Sequence, residues 1–586
     1  MTNLNPIPGT KAPANAENTT DISSNRRGFL KTIVASAASI SVAGAAVHFT
    51  APQAEASEAT DKKGALKGKK RRARALALRN KNCRESILKQ PVLGDNLTNG
   101  DEQNLPNFIN QFTKGLPHEA NGEVTASAYV AMRAAIESGD FAQIESLTLG
   151  HSNPAEQRKL RNPLAGLAFD TEGVDAAQAP TPAPPQFSSP WQAGEMVELY
   201  WMALLRDVHF QDYATNQAAI DAATEISQMS DFRGPKMNTI VTAQTLFRDT
   251  FQGCKTGPYV SQFLLHSVPY GQHTIDARMH TFVPGVHYGT TFNSWKDIQN
   301  GRVPQAAVTI DPQDRYIRNG RDIAAWVRND AAYQAFLNAA LILMLPPNAN
   351  VFNEGGGMGA PLKATNPYNA ALKQDTFVTL GPVNILSMLA EVVYRCMKPA
   401  WHQKWYVHFR ARPEEFGGRV RQHVHGNVTY PIHPDVLNSQ ALQDVFAATG
   451  DYFLPLVFPE GSPLHPSYPS GHATFSGACI TILKALFDET FVIPAPKVAS
   501  ADGLSLVDYL GSDAGEMTVG GELNKLASNI ATARNIAGLH WRSDGNEGIR
   551  LGEQVAISVL REHRDTYAED FPGFTFTGVD GNTIVI

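Results

Sequence analysis

Apolar residues recur at three- and four-residue spacing through 124–148, 192–206, 214–228, 321–345, 382–410, 472–489, 520–537 and 545–564. Runs of strictly alternating apolar and polar residues are scarce. A helix buries one stripe and a strand buries every second side chain, so this pattern commits the chain to a mainly α fold built by packing helix on helix. The 586 residues suffice for a large core, and with 43% hydrophobic and 18% charged residues the chain is not of the disordered, collagen-like or polytopic membrane classes. Pro/Gly-rich stretches at 172–190 and 346–368 read as surface loops, and no repeat of fixed period is present. Cys83, Cys254, Cys396 and Cys479 lie far apart without a C-x-x-C pair. They offer no zinc ribbon or thioredoxin-type site and leave room for one or two disulfides.

Charge is unevenly placed. The chain carries −6, of which residues 1–56 contribute +1, residues 57–84 contribute +9 and the remaining body −16. The basic run suggests a flexible, solvated tail lying on its own protein's acidic surface rather than a nucleic-acid arm. Residues 1–56 read as an address: Asn25-Arg-Arg-Gly-Phe-Leu-Lys31 resembles a twin-arginine export signal, followed by an uncharged Ala/Ser/Val stretch and the small-x-small pattern Ala54-Glu55-Ala56. That stretch contains His48 and Pro52 and makes a poor bilayer span. The expected product is exported already folded, periplasmic or secreted, with no stable membrane span after processing. The expected organisation is a signal peptide at 1–56, a basic tail at 57–84, an N-terminal helical region at 85–375 and a C-terminal helical region at 376–586 that carries the chemistry.

Three clusters in the last third have the makings of an oxyanion site. Lys404 and Arg412-Pro413 supply a point charge and a two-pronged planar cation, two to three turns apart if the helix from Pro382 continues. His465-Pro-Ser-Tyr-Pro469-Ser470-Gly471-His472 leads into an apolar helix, so Ser470 and Gly471 present a hydroxyl and free backbone N–H groups at a helix start, with His472 in the first turn. Arg534 falls near the end of the 520–537 helix, Gly538 suits the turn that ends it, and His540 and Asp544 share a face if the next segment is helical, so that Asp544 can orient the imidazole. Singly, each also reads as a capped helix end or a satisfied structural pair.

Together, Lys-x7-Arg-Pro, Pro-Ser-Gly-His and Arg-x3-Gly-x-His-x3-Asp resemble the signature shared by vanadium-dependent haloperoxidases and the acid phosphatase superfamily. Soluble bacterial acid phosphatases are about half this length, usually place six residues between Lys and Arg and carry Ser where this chain has Ala533. The seven-residue gap, His465 seven before His472, and the phrases Gly257-Pro-Tyr-Val-Ser-Gln-Phe-Leu-Leu-His266 and Phe416-Gly-Gly resemble the large algal and cyanobacterial bromoperoxidases over most of residues 85–586. The resemblance implies a helical bundle with a vanadate pocket at the bottom of a channel, and a homo-oligomer anywhere from dimer to dodecamer. It implies that His540 bonds vanadium, that Lys404, Arg412, Ser470, Gly471 and Arg534 hold the vanadate oxygens, that His472 is the acid–base partner, that His465 is an outer histidine, and that Asp544 orients His540. Hydrogen peroxide would be activated by Lewis acidity without redox change at vanadium, with His472 and Lys404 assisting, to oxidise a halide that then halogenates small organic acceptors. Kinship makes bromide the expected halide, with chloride and iodide as the alternatives and Gln403 as a position that influences the choice. Calcium is implied by the red-algal relatives, with the 366–375 loop and Asp375 as its candidate place. Two other readings of the same residues are an exported acid phosphatase and a non-catalytic oxyanion-binding protein.

Overall fold

The computed structural model describes residues 68–88, 96–345 and 358–586. The export signal at 1–56 and residues 57–67 of the basic run lie outside the described residues. Helix α1 (Gly68–Leu88) lies at the surface, and the helices that build the site are α2 (Pro190–Leu205), α3 (Gly320–Trp326), α4 (Pro382–His402), α5 (Pro413–Val424), α6 (Gly471–Leu486), α7 (Val519–Ile536) and α8 (Arg542–Arg564). Strands among the described residues are short antiparallel pairs, such as Val268–Tyr270 with His273–Ile275, in which Val268 faces Ile275.

Helix α6 is the axis. Every residue from Gly471 to Leu486 except His472 is buried, as its near-continuous apolar sequence requires of a helix wrapped on all sides. α4 instead buries one stripe, Ile385, Met388, Leu389, Val392, Val393 and Cys396, at the three- and four-residue spacing that puts side chains on one face. Caps fix where the helices begin. Pro382 and Pro413 open α4 and α5, Ser189 accepts from Gln192 N, Asn319 from Asp322 N, and Thr518 from Gly521 N. α7 is buried along almost its whole length and satisfies its polar groups inward: Asn529 Oδ1 accepts from Ser261 N at 2.8 Å and Glu522 Oε2 from Gln262 N at 2.9 Å. The phrase Gly257–His266 is thus a backbone clamp on α7. The described residues fall in one compact unit, and one apolar core draws on both sides of residue 375.

Several expectations change. Residues 68–84 are helical rather than a flexible tail, and α1 is tied to the body by Lys81–Asp565 at 2.5 Å and Ser86 Oγ–Glu562 Oε1 at 2.8 Å. The span 321–345 is two helices, α3 and Gln334–Met344. At the break the Val327 carbonyl accepts from Arg534 Nη1. The 172–190 stretch is not a surface loop throughout: Phe187 is buried with its ring 4.6 Å from that of Phe416, and Thr181 Oγ1 lies 3.1 Å from His408 Nε2. Residues 346–357 of the second loop lie outside the described residues. The four cysteines are unpaired, three of them buried.

Candidate functional site

Lys404 does not share a helix with Arg412. After His402 the chain winds into a π-helical turn, Gln403–His408, which Phe409 ends with a left-handed φ of 49°; Arg412 then caps α5 from an extended conformation. Such wide turns are frequent at functional sites, and this one is held from outside the helix. Gln403 Nε2 donates to Asn96 Oδ1 at 3.1 Å and to the Ala179 carbonyl at 3.2 Å, and His408 meets Thr181. The turn aims Lys404 inward, where Nζ donates to the carbonyls of Pro466 at 2.9 Å and Ser467 at 2.7 Å.

The second cluster lies across from it. Ser470 is the N-cap of α6, its hydroxyl 3.5 Å from Ala473 N, and its own N–H donates to the Asp544 carbonyl at 2.9 Å. A Cβ on Gly471 would press on Met397 and Trp401 at 3.2–3.3 Å. His472 Nε2 lies 3.1 Å from Asp330 Oδ1, in the break after α3. His465 sits on the far side of Arg412, its ring 4.9 Å from that of Trp401.

In the third cluster, Arg534 ends α7 with Nη1 on the Val327 carbonyl at 2.8 Å. Gly538 takes φ of 84° and turns the chain, which Leu or Ala would do only with strain. His540 lies ahead of α8 rather than on it, and Asp544, in the first turn, reaches back to it. Asp544 Oδ2 accepts from His540 Nδ1 at 2.8 Å, from Trp541 N at 3.1 Å and from the Ser467 hydroxyl. A carboxylate on Nδ1 leaves the Nε2 lone pair for the pocket, where Arg412 Nη1 donates to it at 2.9 Å.

Lys404, Arg412, Arg534 and His540 are all buried. Burial, reinforced by the neighbouring cations, holds the Lys404 ammonium well below its ordinary range and lowers Arg412 to about 9. Burial alone lowers Arg534 to about 10, Asp330 and Glu460 opposing it. His540 is pushed well below 6.5 by burial first and then by Arg412, Lys404 and Arg534. His472 is lowered by burial and by Arg534, with Asp330 opposing. A buried cluster of positive charge lacking equal negative charge is unstable by itself. It gathers N–H donors, and Arg534 Nε is buried with no partner. A tetrahedral oxyanion such as vanadate fits this donor set, and the His540 Nε2 lone pair supplies one further bond to its central atom.

All nine residues singled out from the sequence converge here or one layer behind. Sequence reasoning missed Asp330, Ser467 and Arg410. Ser467 lay inside the second motif and Arg410 inside the first, each reading as one more polar residue. Surface cavities of 470 and 560 Å³, lined by residues of 141–164 and by α1, α8 and the last residues, touch none of the nine. Among the described residues no group of three or more His, Cys, Asp or Glu is placed to hold a metal ion. Asp375 accepts from Thr376 N at 2.7 Å. Among the described residues no helix is long and apolar enough to cross a membrane.

Comparison with known proteins agrees with this geometry. The family described as the VCPO second helical-bundle domain matches residues 399–569, which hold all three clusters. The vanadium-dependent bromoperoxidase of Ascophyllum nodosum is 35% identical over 492 residues, 80% of this chain and 85% of its own length. That of Corallina officinalis is 36% identical over 568 residues, 83% of this chain and 92% of its own length. A homohexameric structure of the second vanadate-dependent bromoperoxidase of Ascophyllum nodosum superposes with a TM-score of 0.81 at 30% identity, over 89% of this chain and 91% of that one. With 35–36% identity over four-fifths of this chain and the fold shared at a TM-score of 0.81, the chain belongs to the family of vanadium-dependent bromoperoxidases.

Proposed function

We propose that this protein is a vanadium-dependent bromide peroxidase, using hydrogen peroxide to make an oxidised bromine species that halogenates small organic acceptors. The carrying observation is the convergence of Lys404, Arg412 and Arg534 on a histidine whose Nδ1 is bonded to Asp544 and whose Nε2 points into their midst. Vanadate, when bound, supplies the Lewis acid that activates peroxide toward the halide. The chain's own residues do the rest. Lys404, Arg412, Arg534, the Ser470 hydroxyl and the Gly471 N–H cancel and orient the oxyanion charge. His540 Nε2 is the bonding atom, and Asp544 keeps the proton on Nδ1. The bond from His472 Nε2 to Asp330 leaves Nδ1 as the nitrogen that takes a proton from the incoming peroxide, a task suited to a neutral imidazole. Lys404 would meet the negative charge that develops as the oxygen–oxygen bond of peroxide breaks. Gln403, immobilised by Asn96 and Ala179, bears on halide choice through the placement of Lys404.

The test uses protein stripped of vanadium. Bromination with peroxide should appear on adding orthovanadate and be suppressed by excess phosphate, which competes for the same donors. Activity that ignores vanadate, or phosphate-ester hydrolysis outpacing bromide oxidation at saturating vanadate, would falsify this reading. The hexameric relative supports a homo-oligomer, and the signal-like residues 1–56 support twin-arginine export to the periplasm or medium. Calcium, implied only by kinship, is assigned no ligands.

A further inference from the structure

Arg410 lies two residues before Arg412 in the extended stretch that joins the π turn to α5, and its side chain is wholly buried. It does not point toward the oxyanion donors. Nη1 donates to Asp544 Oδ1 and to Ser543 Oγ, both at 2.8 Å; Nη2 donates to Gln192 Oε1 at 2.8 Å and lies 3.3 Å from Glu195 Oε2. Its flat face rests 5.1 Å from the Trp541 ring. Its carbonyl accepts from Ser467 N at 2.9 Å, and the Ser467 side chain in turn bonds Asp544. Arg410 therefore ties the first motif by side chain to the third and by backbone to the second, and braces both against α2.

The division of labour on Asp544 is what gives this arrangement a consequence. Oδ2 takes His540 Nδ1, Trp541 N and Ser467. Oδ1 takes Arg410. A carboxylate held at one oxygen by a rigid guanidinium cannot rotate to offer the other oxygen differently, so the direction of the bond to His540 is set from behind. Arginine suits the post because its two prongs are fixed in one plane, one serving α8 and the other α2, which a single ammonium cannot do.

We infer that Arg410 is a positioning residue: by pinning Asp544 Oδ1 it fixes the orientation and tautomer of His540 and so the affinity of the site for vanadate. This rests on the reading of His540 as the bonding residue, and the experiment separates the two. Vanadate affinity is measured by equilibrium titration of the vanadium-free protein for wild type, R410K, D544N, R410K/D544N and H540A, beside thermal melting and the absorption spectrum of bound vanadate at saturation. Removing a partner one layer behind a ligand weakens metal binding by about 10–100-fold. D544N should lose affinity on that scale, and R410K, which acts through Asp544, should lose several-fold but no more than D544N and shift the spectrum while still melting cooperatively. Because Arg410 acts through Asp544, R410K/D544N should bind no more weakly than D544N alone. If R410K leaves Glu195 so poorly paired that the fold fails, R410Q/E195Q removes both charges and carries the same expectation. Wild-type affinity and spectrum in the variant, or losses from R410K and D544N that multiply, would overturn the proposal. Undiminished vanadate binding by H540A would instead overturn the assignment of the ligand beneath it.

Discussion

His540 and His465 flank the Arg412 guanidinium, and the two rings meet it on different terms. Arg412 Nη1 donates to His540 Nε2 at 2.9 Å, and Nη2 lies 3.0 Å from His465 Nδ1 while also donating to the His465 carbonyl at 2.9 Å. His540 has a second anchor, Asp544, that fixes which nitrogen carries the proton. His465 Nδ1 also faces the Pro466 carbonyl at 3.0 Å, and one nitrogen cannot accept from Arg412 and donate to a carbonyl together. Its ring is held by Trp401 and by the backbone, so it stands outside the donor set as an adjustable neighbour. His540→Ala should therefore abolish both vanadium retention and bromination. His465→Ala should keep vanadium near stoichiometric and slow bromination by about 10–100-fold, the usual cost of an outer group. Vanadium content and bromination rate of the two variants decide it, and a His540 variant that keeps both would remove the basis of the assignment. These two histidines were visible in the sequence because each sits at fixed spacing from a glycine or proline turn. Asp330 was not, because it lies 142 residues from His472 and only the break after α3 brings it there.

The crossing of α6 and α8 decides where those residues stand. A Cβ on Gly552 would collide with the Thr474 carbonyl and the Ala478 amide, one on Gly477 with the Ile549 carbonyl, and one on Gly548 with the Ser470 carbonyl at 2.8 Å. The backbones touch, so the first turn of α6, which offers Ser470 and Gly471, is seated directly on α8, which begins two residues after His540. Gly552→Ala should push the helices apart. Overpacking costs about 1–3 kcal/mol, and the obstacle here is main chain with no rotamer to give way. The expected result is a melting temperature lower by about 1–3 °C and weaker vanadate binding with the donor side chains unchanged; a variant melting like wild type would mean the crossing has slack. Helices α6, α7 and α8, and the start of α4, were legible to within a few residues because burial writes a periodic stripe or a continuous apolar run, whereas the end of α4 was set too late, at 410 rather than 402. The π turn was not legible, since Gln403 and His408 are held there by Asn96, Ala179 and Thr181, from parts of the chain that no local pattern links to them.

Over the whole molecule, positive charge is concentrated in exposed α1 and in the buried site, the rest of the body is acidic, and burial keeps several histidines neutral. His118 and His266 are lowered to about 4 and His408 to about 3, in each case chiefly by burial. Above pH 6.5 such a ring is neutral folded or unfolded and costs nothing. Below it the unfolded chain binds a proton that the folded chain refuses, so stability is fully present above the unfolded pKa and is lost as pH falls from 6.5 toward 4, and on toward 3 for His408. His266 is the cleanest place to test this. Its Nε2 is buried without a partner, and Lys497 pushes its pKa in the same direction as burial. His266→Leu therefore deletes a proton site without stranding a hydrogen-bond partner of that nitrogen. Unfolding free energy, measured by urea titration at half-unit steps from pH 7.5 to 4.5, should fall less steeply with acid in the variant, the slopes differing by up to one proton, about 1.4 kcal/mol per pH unit. The two curves should meet wild-type behaviour again above pH 7, apart from a constant offset for the changed packing. Parallel curves throughout would mean that His266 takes up its proton in the folded chain, and that the acid sensitivity resides in the remaining buried rings.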